Sequence, residues 1–332
     1  MKHVLTLAVG CLALVAAVRA ESGGDKAAAT IELTDDAKAS ALTVRIAGKE
    51  ALVYQYADDL ELPFFYPVRS PSGKLMTLKI ADKEKKQNYP HHRSFWFTDK
   101  IQLAGHRDVN FYAAYYGRLD KKDPKSAFRD RIKHVAFAPA PAGKTQGAAR
   151  IGMKLLWQAD RKTAYLDERR DMRIVALGSG EYFLDITFTV TASYGDVRFT
   201  SDAVHYAWPY VRMHPQFSVQ QGGRITNSEG GINQKATNNK VAKWVDYSGT
   251  VDGATEGLAI FSHPDNTHPH KWLTRDYGCF GPRRIDKRSG NRQYVLGKGQ
   301  SLTRRVGIFV HRGDVKAAGV VRRYAQYAAG KL

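Results

Sequence analysis

A two-residue alternation of apolar and polar side chains dominates the chain from about residue 40 onward. Residues 184–191 show it clearly, with an apolar side chain at every second position and Asp or Thr between them. Successive side chains of a β-strand point to opposite faces, so this spacing predicts a half-buried strand. The same spacing recurs over 151–157 and 172–176, and the glycine-flanked turn at 178–180 predicts a hairpin.

A second hairpin is predicted from residues 42–47 to 51–56, and short apolar runs at 257–261 and 306–310 fit buried strands. Helical spacing is clear only near the end, where Asp314 is a candidate cap for a helix with one apolar face. We therefore predict a mostly β chain that forms a large antiparallel β-sandwich with a C-terminal helix. The sequence contains no repeat of fixed period, which would indicate a propeller or a solenoid.

The first 20 residues have the composition of a signal peptide. A Lys-His pair precedes an apolar run at 4–18, and Ala20 stands before an acidic residue at a typical cleavage position. The run is about 15 residues long, whereas a membrane helix needs roughly 20. We expect cleavage after Ala20 and a periplasmic or extracellular protein with no transmembrane segment in its mature form. Residues 21–38 are expected to be a flexible leader, and residues 39–332 a single β-rich domain.

The cysteine content and the net charge limit which covalent cross-links and which binding partners the protein can have. Cys11 would leave with the signal peptide, so Cys279 has no partner for an internal disulfide. The formal net charge of +19 attracts polyanions, which outside the cytoplasm are acidic polysaccharide, lipopolysaccharide or anionic lipid. A basic surface that serves only solubility is the alternative. No spacing typical of a nucleic-acid-binding module occurs, so we expect a saccharide partner and no nucleic acid.

The densest polar cluster lies at residues 89–97, where His91, His92 and Arg93 lead into an aromatic segment. On a strand the two histidines would point to opposite faces, so both cannot easily bind one ion. One histidine, together with Arg93, could face a cleft as acid, base or anion clamp. The alternative is a histidine pair with structural hydrogen bonds at the start of a strand.

A second polar cluster follows the apolar run at 258–261 and is expected in a loop at the end of a sheet. His268 and His270 are two residues apart and could share a face, but no third metal ligand stands at a diagnostic spacing. The sequence therefore does not establish whether a metal binds here. The alternative to a metal site is a rigid proline-rich loop. The candidate ligand-binding residues in and after this loop are His263, Asn266, Trp272 and Arg275.

Three further segments contribute candidate polar groups. His134 lies within residues 131–135, between the two clusters. Glu229 follows Asn227 in a glycine-bearing turn, where its carboxylate is either exposed for proton transfer or bonded to its own turn. His205 is a further candidate. A phosphate-binding loop, a nucleophile elbow and a cysteine–histidine pair are not found in the sequence.

Several of these segments together resemble a bacterial family labelled PmoA-like or methane oxygenase-like, also called domain of unknown function 6807. The run PHHR at 90–93 resembles the family's HPHHRG signature, and NSEG at 227–230 resembles its turn of the same letters. Ser94 and Ser262 depart from the glycine and the aspartate that are usual there. The other matching segments are IKH at 132–134, AIFSHPDN at 259–266, RDYGCF at 275–280 and HRGD at 311–314.

The resemblance implies a role in carbohydrate metabolism, because members of the family are associated with sugar-processing enzymes. The methane-oxygenase label fits poorly, since particulate methane oxygenases are multi-span membrane proteins and no span is predicted after the signal peptide.

We therefore expect a carbohydrate-active protein, either a glycoside-cleaving hydrolase or lyase or a sugar epimerase, that acts on an acidic or modified saccharide. His92, His134 and Glu229 are the predicted acid–base groups. A supersandwich of the galactose-mutarotase type, with histidines and one acid on a concave sheet, is one architecture that would hold them. The predicted substrate-binding residues are His91, Arg93, His205, Asn227, His263, Asn266, Trp272 and Arg275.

Two alternatives stay open. A non-catalytic module would bind carbohydrate or envelope polymer through aromatic and basic residues, and a metal-dependent enzyme would use the histidine clusters. The sequence requires no cofactor, although a divalent metal is compatible with it. The enzyme hypotheses need the predicted histidines and the single acid to meet in one open cleft.

Overall fold

The computed structural model describes residue 1 and residues 29–78, 89–200, 206–266, 270–283 and 294–332. The predicted signal peptide, apart from residue 1, lies outside these ranges. Within them the chain forms 21 β-strands, two α-helices and three short 3-10 helices. The strands are β1 (Thr30–Asp36), β2 (Ala41–Ile46), β3 (Lys49–Gln55), β4 (Phe64–Val68), β5 (Phe95–Trp96), β6 (Lys100–Leu103), β7 (Asp108–Asn110), β8 (Arg131–Phe137), β9 (Lys144–Gln146), β10 (Ala148–Ala159), β11 (Thr163–Gly178), β12 (Glu181–Thr191), β13 (Val197–Phe199), β14 (Tyr210–Arg212), β15 (Arg224–Asn227), β16 (Trp244–Val251), β17 (Ala254–Ser262), β18 (Trp272–Thr274), β19 (Cys279–Pro282), β20 (Tyr294–Leu296) and β21 (Ser301–Arg312). The helices are α1 (Asn233–Thr237) and α2 (Val320–Ala328), with 3-10 helices at Phe111–Tyr116, Pro215–Phe217 and Val219–Gln221.

The described strands form three antiparallel sheets. A nine-stranded sheet has the order β18-β19-β14-β5-β4-β3-β2-β1-β9. An eight-stranded sheet has the order β15-β16-β17-β21-β12-β11-β10-β8, and a four-stranded sheet has the order β20-β13-β6-β7. Strands that are distant in sequence are therefore neighbours in space, notably β5, β14 and β19 in the nine-stranded sheet.

The two large sheets pack face to face through their apolar faces. Every second side chain of β12 from residue 184 to 190 is buried, as the alternation predicts. The ring centroids of Phe97 and Phe188 are 4.3 Å apart, and those of Tyr247 and Phe280 are 5.4 Å apart, so the contact between the sheets is direct. The predicted large antiparallel β-sandwich is confirmed.

Helix α2 packs on the outer face of the eight-stranded sheet. Tyr327 of this helix is buried against Phe183 and Phe261. The predicted C-terminal helix is confirmed, but it begins only at Val320, because Gly319 adopts a left-handed φ of 63° that interrupts the helical backbone. Neither helix of the described chain is long and apolar enough to cross a membrane.

The first described strand lies within the segment predicted to be a flexible leader, of which residues 21–28 lie outside the described ranges. The prediction of a flexible leader at 21–38 is wrong from Thr30 onward, since Thr30–Asp36 forms β1 and pairs with both β2 and β9. Ile31 and Leu33 are the buried side chains of this strand. Two apolar positions are too few to reveal a strand in the sequence, and the pairing with neighbouring strands orders the segment.

Two arginine–carboxylate pairs lie on opposite faces of β11. On the inner face, Arg170 and Glu168 are buried with Nη2 and Oε1 2.7 Å apart, and Trp157 Nε1 donates to Glu168 Oε2 over 2.8 Å. On the outer face, Arg169 binds both carboxylate oxygens of Asp171 at 2.7 Å, with 46% of each side chain exposed. The same spacing in sequence thus places one pair in the core and the other in water.

We expect Glu168→Ala to lower the free energy of unfolding by about 3–5 kcal/mol, because it leaves the Arg170 guanidinium buried without its carboxylate. Asp171→Ala, the matched control on the outer face, should cost less than about 1 kcal/mol, since water screens an exposed pair. Urea unfolding followed by circular dichroism measures both values. Equal losses in the two variants would contradict this difference between the faces.

Candidate functional site

Residues 89–93 lead into β5 on the outer face of the nine-stranded sheet. Strand alternation directs Phe97 toward the eight-stranded sheet and Trp96 away from it, where Trp96 stacks on Tyr210 of the paired strand β14 at 4.8 Å. His92 packs against Trp96 on this outer face, with ring centroids 5.4 Å apart. The first predicted polar cluster therefore lies over β5 and β14, outside the main core.

His92 is almost fully buried in a stack of rings. Its exposed fraction is 1%, its ring lies 5.0 Å from that of Tyr89, and its Nε2 atom is 2.9 Å from the Tyr112 hydroxyl. Among the described residues, its Nδ1 atom has no hydrogen-bond partner. Burial, and then the nearby His91 and Arg212, hold the pKa of His92 well below its usual range, so the imidazole is neutral at pH 7.

His91 is the more accessible of the two histidines. It is half-buried, its Nδ1 atom lies 2.9 Å from the Tyr116 hydroxyl, and its ring is 4.6 Å from that of Tyr112. In the tautomer in which Nδ1 donates to Tyr116, Nε2 is a free base that can meet a ligand. Burial and the charge of Arg93 lower the pKa of His91 to about 4, so His91 is uncharged near neutral pH.

Arg212 of β14 lies close enough to His92 to lower the pKa of its imidazole. Its guanidinium is 4.3 Å from the Tyr277 ring centroid, and only 8% of the residue is exposed. Within the described part of the chain, neither Nε nor Nη1 of Arg212 has a hydrogen-bond partner, and no carboxylate pairs with it. Cys279 stands opposite on β19, where burial raises the pKa of its thiol to about 11 and keeps it neutral. A buried cation without an anion is costly, so this arrangement favours a negatively charged ligand.

These side chains together form one chemical unit on the outer face of the nine-stranded sheet. A neutral imidazole can take up a proton, a tyrosine hydroxyl can give one, and an arginine can hold a carboxylate while negative charge develops. The arrangement suits proton transfer next to an acidic group. We name it the His–Arg cluster, and its members are His91, His92, Tyr112, Arg212 and Tyr277.

Arg93 is not part of the His–Arg cluster. Its Nε atom lies 2.5 Å from Oε1 of the buried Glu61, and its guanidinium is 4.9 Å from the Tyr115 ring centroid. This ion pair holds Arg93 inside the fold, so the predicted anion clamp is not at Arg93. Glu61 is 32 residues away in sequence, and no local pattern indicates the pair.

The structure does not bring His92, His134 and Glu229 into one cleft. His134 lies on β8 between the two large sheets, with Nδ1 3.3 Å from the Tyr54 hydroxyl. Glu229 follows β15, and β15 and β8 are the opposite edges of the eight-stranded sheet. Seven strand spacings of about 4.8 Å separate these edges, which is roughly 34 Å. No described contact joins either residue to the His–Arg cluster.

Asn227 and Glu229 form a turn that is closed on itself. The buried Asn227 accepts hydrogen bonds at Oδ1 from the backbone N–H groups of Glu229 and Gly231, at 3.1 and 2.7 Å. Ser228 Oγ donates to Glu229 Oε1 over 2.8 Å, and Glu229 is exposed. The Glu229 carboxylate is therefore both exposed and bonded to its own turn.

The second predicted cluster is also dispersed. His263 is buried, with its ring 4.9 Å from that of Tyr327 in α2, on the opposite side of the sandwich from the His–Arg cluster. Asn266 bonds through Nδ2 and Oδ1 to the backbone of Arg305, at 2.8 and 2.9 Å. Trp272 is fully buried and donates to a backbone carbonyl, so it is a core residue.

The remaining predicted residues add little to the site. Arg275 Nη1 donates to Asn238 Oδ1 over 2.8 Å, which ties this side chain to the neighbouring loop. His205 and His268 lie outside the described residues. Among the residues that the structure describes, no group of three His, Cys, Asp or Glu side chains could hold a metal ion.

Residues 41–325 match the family of unknown function DUF6807. The chain belongs to this family. The match includes every member of the His–Arg cluster, and it has no bearing on the PmoA-like label. No curated protein matches this DUF6807 chain.

Solved structures of carbohydrate enzymes resemble this DUF6807 chain weakly. Galactose 1-epimerase from Lactobacillus acidophilus NCFM is 7% identical with a TM-score of 0.35, and the match covers 86% of this chain and 98% of that one. The GalM/aldose epimerase homologue from C. elegans is 10% identical with a TM-score of 0.31, covering 86% and 100%. A mutant of heparan sulfate lyase HepC from Pedobacter heparinus is 8% identical with a TM-score of 0.31 over 82% of this chain, which spans 30% of the lyase. At these scores no activity or substrate carries over to the DUF6807 chain.

Sequence reasoning missed three members of the His–Arg cluster. Arg212 ends a three-residue strand that is too short to show a pattern. Tyr112 lies in the run FYAAYY, whose density of tyrosines is a signal for a half-buried polar surface. Tyr277 is two residues from Arg275, inside the segment 275–280 that carries the family resemblance. Only the last two could have been suspected from the sequence.

We expect the His91 imidazole of the folded protein to titrate near pH 4, as measured by NMR of its ring protons. The pKa in the unfolded chain is near 6.5, so unfolding takes up a proton between pH 6.5 and about 4, and acid lowers stability in this window. His91→Gln should therefore flatten the dependence of the unfolding free energy on pH there.

His134→Gln is the matched control, because burial also lowers the pKa of His134 to about 4. This variant should flatten the pH dependence similarly while leaving the His91 resonance in place. A His91 midpoint near 6.5 in the folded protein would contradict its burial in the cluster.

Proposed function

We propose that the protein acts on a saccharide that carries a carboxylate, by proton transfer at the His–Arg cluster. The observation that carries this proposal is the buried guanidinium of Arg212, which has two unpaired donor nitrogens and no carboxylate partner among the described residues. An unsatisfied buried donor costs about 1–3 kcal/mol. A bound carboxylate would recover this free energy through charge-assisted hydrogen bonds.

Tyr89 and Tyr277 frame the approach to Arg212. Their rings are stacked with centroids 5.4 Å apart, and 44% of Tyr89 is exposed. Aromatic rings with a polar edge suit the apolar face of a sugar ring. A saccharide that displaces the Tyr89 ring, or stacks on it, brings its carboxylate to the guanidinium.

The reaction that fits these groups is β-elimination. His91 Nε2 removes the hydrogen α to the bound carboxylate, the electron pair forms a C=C bond, and the β C–O bond breaks. The departing oxygen takes a proton from the Tyr116 hydroxyl, which recovers one from His91 Nδ1, 2.9 Å away. Arg212 stabilises the negative charge that builds on the carboxylate. Return of a proton to the opposite face, without C–O cleavage, would be epimerisation at the same carbon.

Hydrolysis has less support from the cluster. The usual hydrolytic route needs two carboxyl groups, and no described carboxylate bonds to His91, His92 or Arg212. Non-catalytic saccharide binding is the second candidate. The exposed tyrosines Tyr89 and Tyr116 favour it, because they offer a stacking surface whether or not a bond is broken.

We also propose that the protein acts outside the cytoplasm, because residues 1–20 have the composition of a signal peptide. We expect the full chain, expressed in a bacterial host, to be recovered from the periplasm or the medium without its first 20 residues. Intact-mass spectrometry of each cell fraction measures this. Uncleaved protein confined to the cytoplasm would contradict it.

Turnover of acidic oligosaccharides should depend on both Arg212 and His91 of the His–Arg cluster. We expect Arg212→Gln and His91→Gln each to lower kcat/KM by about 100-fold or more, because each removes a group that acts on the transition state. Oligogalacturonate and alginate fragments are the probes, and the ultraviolet absorbance of the new C=C bond measures product.

Arg198→Gln and His106→Gln are the controls, since both side chains are exposed and lie outside the cluster. Each should keep kcat/KM near the wild-type value. Turnover that survives Arg212→Gln would contradict the proposal. Binding of acidic fragments by the wild type without any turnover would support the binding module instead.

A further inference from the structure

A cleft of about 670 Å³ lies on the outer face of the eight-stranded sheet, on the other side of the sandwich from the His–Arg cluster. Side chains of β10, β11, β12 and β21 form its floor. Its volume is within the range of sites for small ligands. Two aspartates line it, Asp171 and Asp185, against four arginines, which are Arg150, Arg169, Arg173 and Arg305.

The sheet register spreads these arginines over the floor. Arg150 and Arg173 stand opposite each other on β10 and β11. Arg169 precedes Arg173 by four residues on the same strand, which is about 13 Å. Arg305 is two strands away from β11, about 10 Å, in line with Asp171. The cations therefore surround an area the size of a short oligosaccharide rather than of a single anion.

Two of the arginines are fixed in place and still keep free donors. Arg169 binds Asp171 through Nε and Nη2, and Arg305 binds Asp185 through Nε and Nη2 at 2.9 and 2.6 Å. Within the described chain, Nη1 of either arginine has no hydrogen bond, and the side chain of the exposed Arg150 has neither a hydrogen bond nor an ion pair. Donors held in position this way reduce the entropy that a ligand must lose on binding.

The rest of the floor suits a polyol better than a nucleobase. Thr187 lines the cleft, and the next rows of the sheet carry the hydroxyl pairs Thr189–Thr303 at 3.0 Å and Thr191–Ser301 at 2.8 Å. Among the described residues that line the cleft, none is aromatic. Single-stranded nucleic acid is usually held by stacking on aromatic side chains, so this surface fits it poorly.

We propose that this cleft is a second binding site, which takes a segment of an acidic oligosaccharide. Carboxylate or sulfate groups of the ligand meet Arg150 and the free Nη1 atoms of Arg169 and Arg305, and sugar hydroxyls meet the threonine rows. Arg173, whose Nη1 donates to the backbone carbonyl of Leu332 at the edge of the cleft, contributes its remaining donors and its charge. The choice of a saccharide rests on the proposed function, whereas the preference for an anion rests on the arginines alone. A polymer held here would raise the concentration of its other segments near the protein.

The test is isothermal titration calorimetry with hexagalacturonate as the probe, in an Arg212→Gln background that removes binding at the His–Arg cluster. We expect Arg150→Glu and Arg173→Gln each to weaken the affinity by about tenfold, the loss expected for one charge-assisted contact. The affinity should also fall as NaCl is raised, because salt screens the arginines. Arg322→Gln, on the exposed side of α2, is the matched control and should leave the affinity unchanged.

Other results would overturn either the binding site or the assignment of its ligand. Absence of binding in the Arg212→Gln background, or equal affinity in Arg150→Glu and Arg322→Gln, would overturn the site. Equal binding of maltohexaose or of a thymidine hexanucleotide would overturn the assignment to an acidic saccharide. Arg150 is exposed, so its variant should fold even if Arg173→Gln does not. Cleft binding that persists without turnover at the His–Arg cluster would separate this proposal from the function proposed above.

Discussion

The packing of two large antiparallel sheets around one apolar core is the constraint on which the rest of this protein depends. Each strand has two faces and only one of them can join that core, so the outer faces are left for other purposes. On the nine-stranded sheet, the segment 89–93 and the 3-10 helix Phe111–Tyr116 cover part of the outer face and bury polar groups beneath them. On the eight-stranded sheet, α2 covers one part, and the arginine cleft occupies another.

The buried arginines show how this fold treats charge. Arg170 lies 2.7 Å from Glu168 inside the core, and Arg93 lies 2.5 Å from the buried Glu61. In each pair the carboxylate offsets much of the cost of removing a cation from water. Arg212 is buried to a similar extent and has no carboxylate partner among the described residues. The contrast with the two paired arginines makes Arg212 the best candidate for contact with an external anion.

The histidines differ in charge state because their surroundings differ. Burial lowers the pKa of His91 and of His134 to about 4, and the charges of Arg93 and Arg170 act in the same direction. Asp35 opposes the shift of His134 but does not outweigh burial. Burial acts in the same direction on His311, but the Asp246 carboxylate 2.7 Å from its Nε2 atom outweighs it and raises the pKa of His311. His311, which lies in one of the segments that carry the family resemblance, is thus a buried structural group rather than a member of the candidate site.

The sequence by itself determined the long alternating strands and the segment that is dense in polar chemistry. Alternation with a period of two is visible within segments such as 151–157 and 184–191, so the sandwich followed from local pattern, and the run at 89–93 stood out because its histidines are adjacent. Only the tertiary structure decided which polar groups meet. Arg212 joins His92, about 120 residues earlier, because β14 pairs with β5, and Glu61 removes Arg93 from the site by an ion pair. Strand order, register and the partner of a buried charge are long-range properties, and no local pattern of residues encodes them.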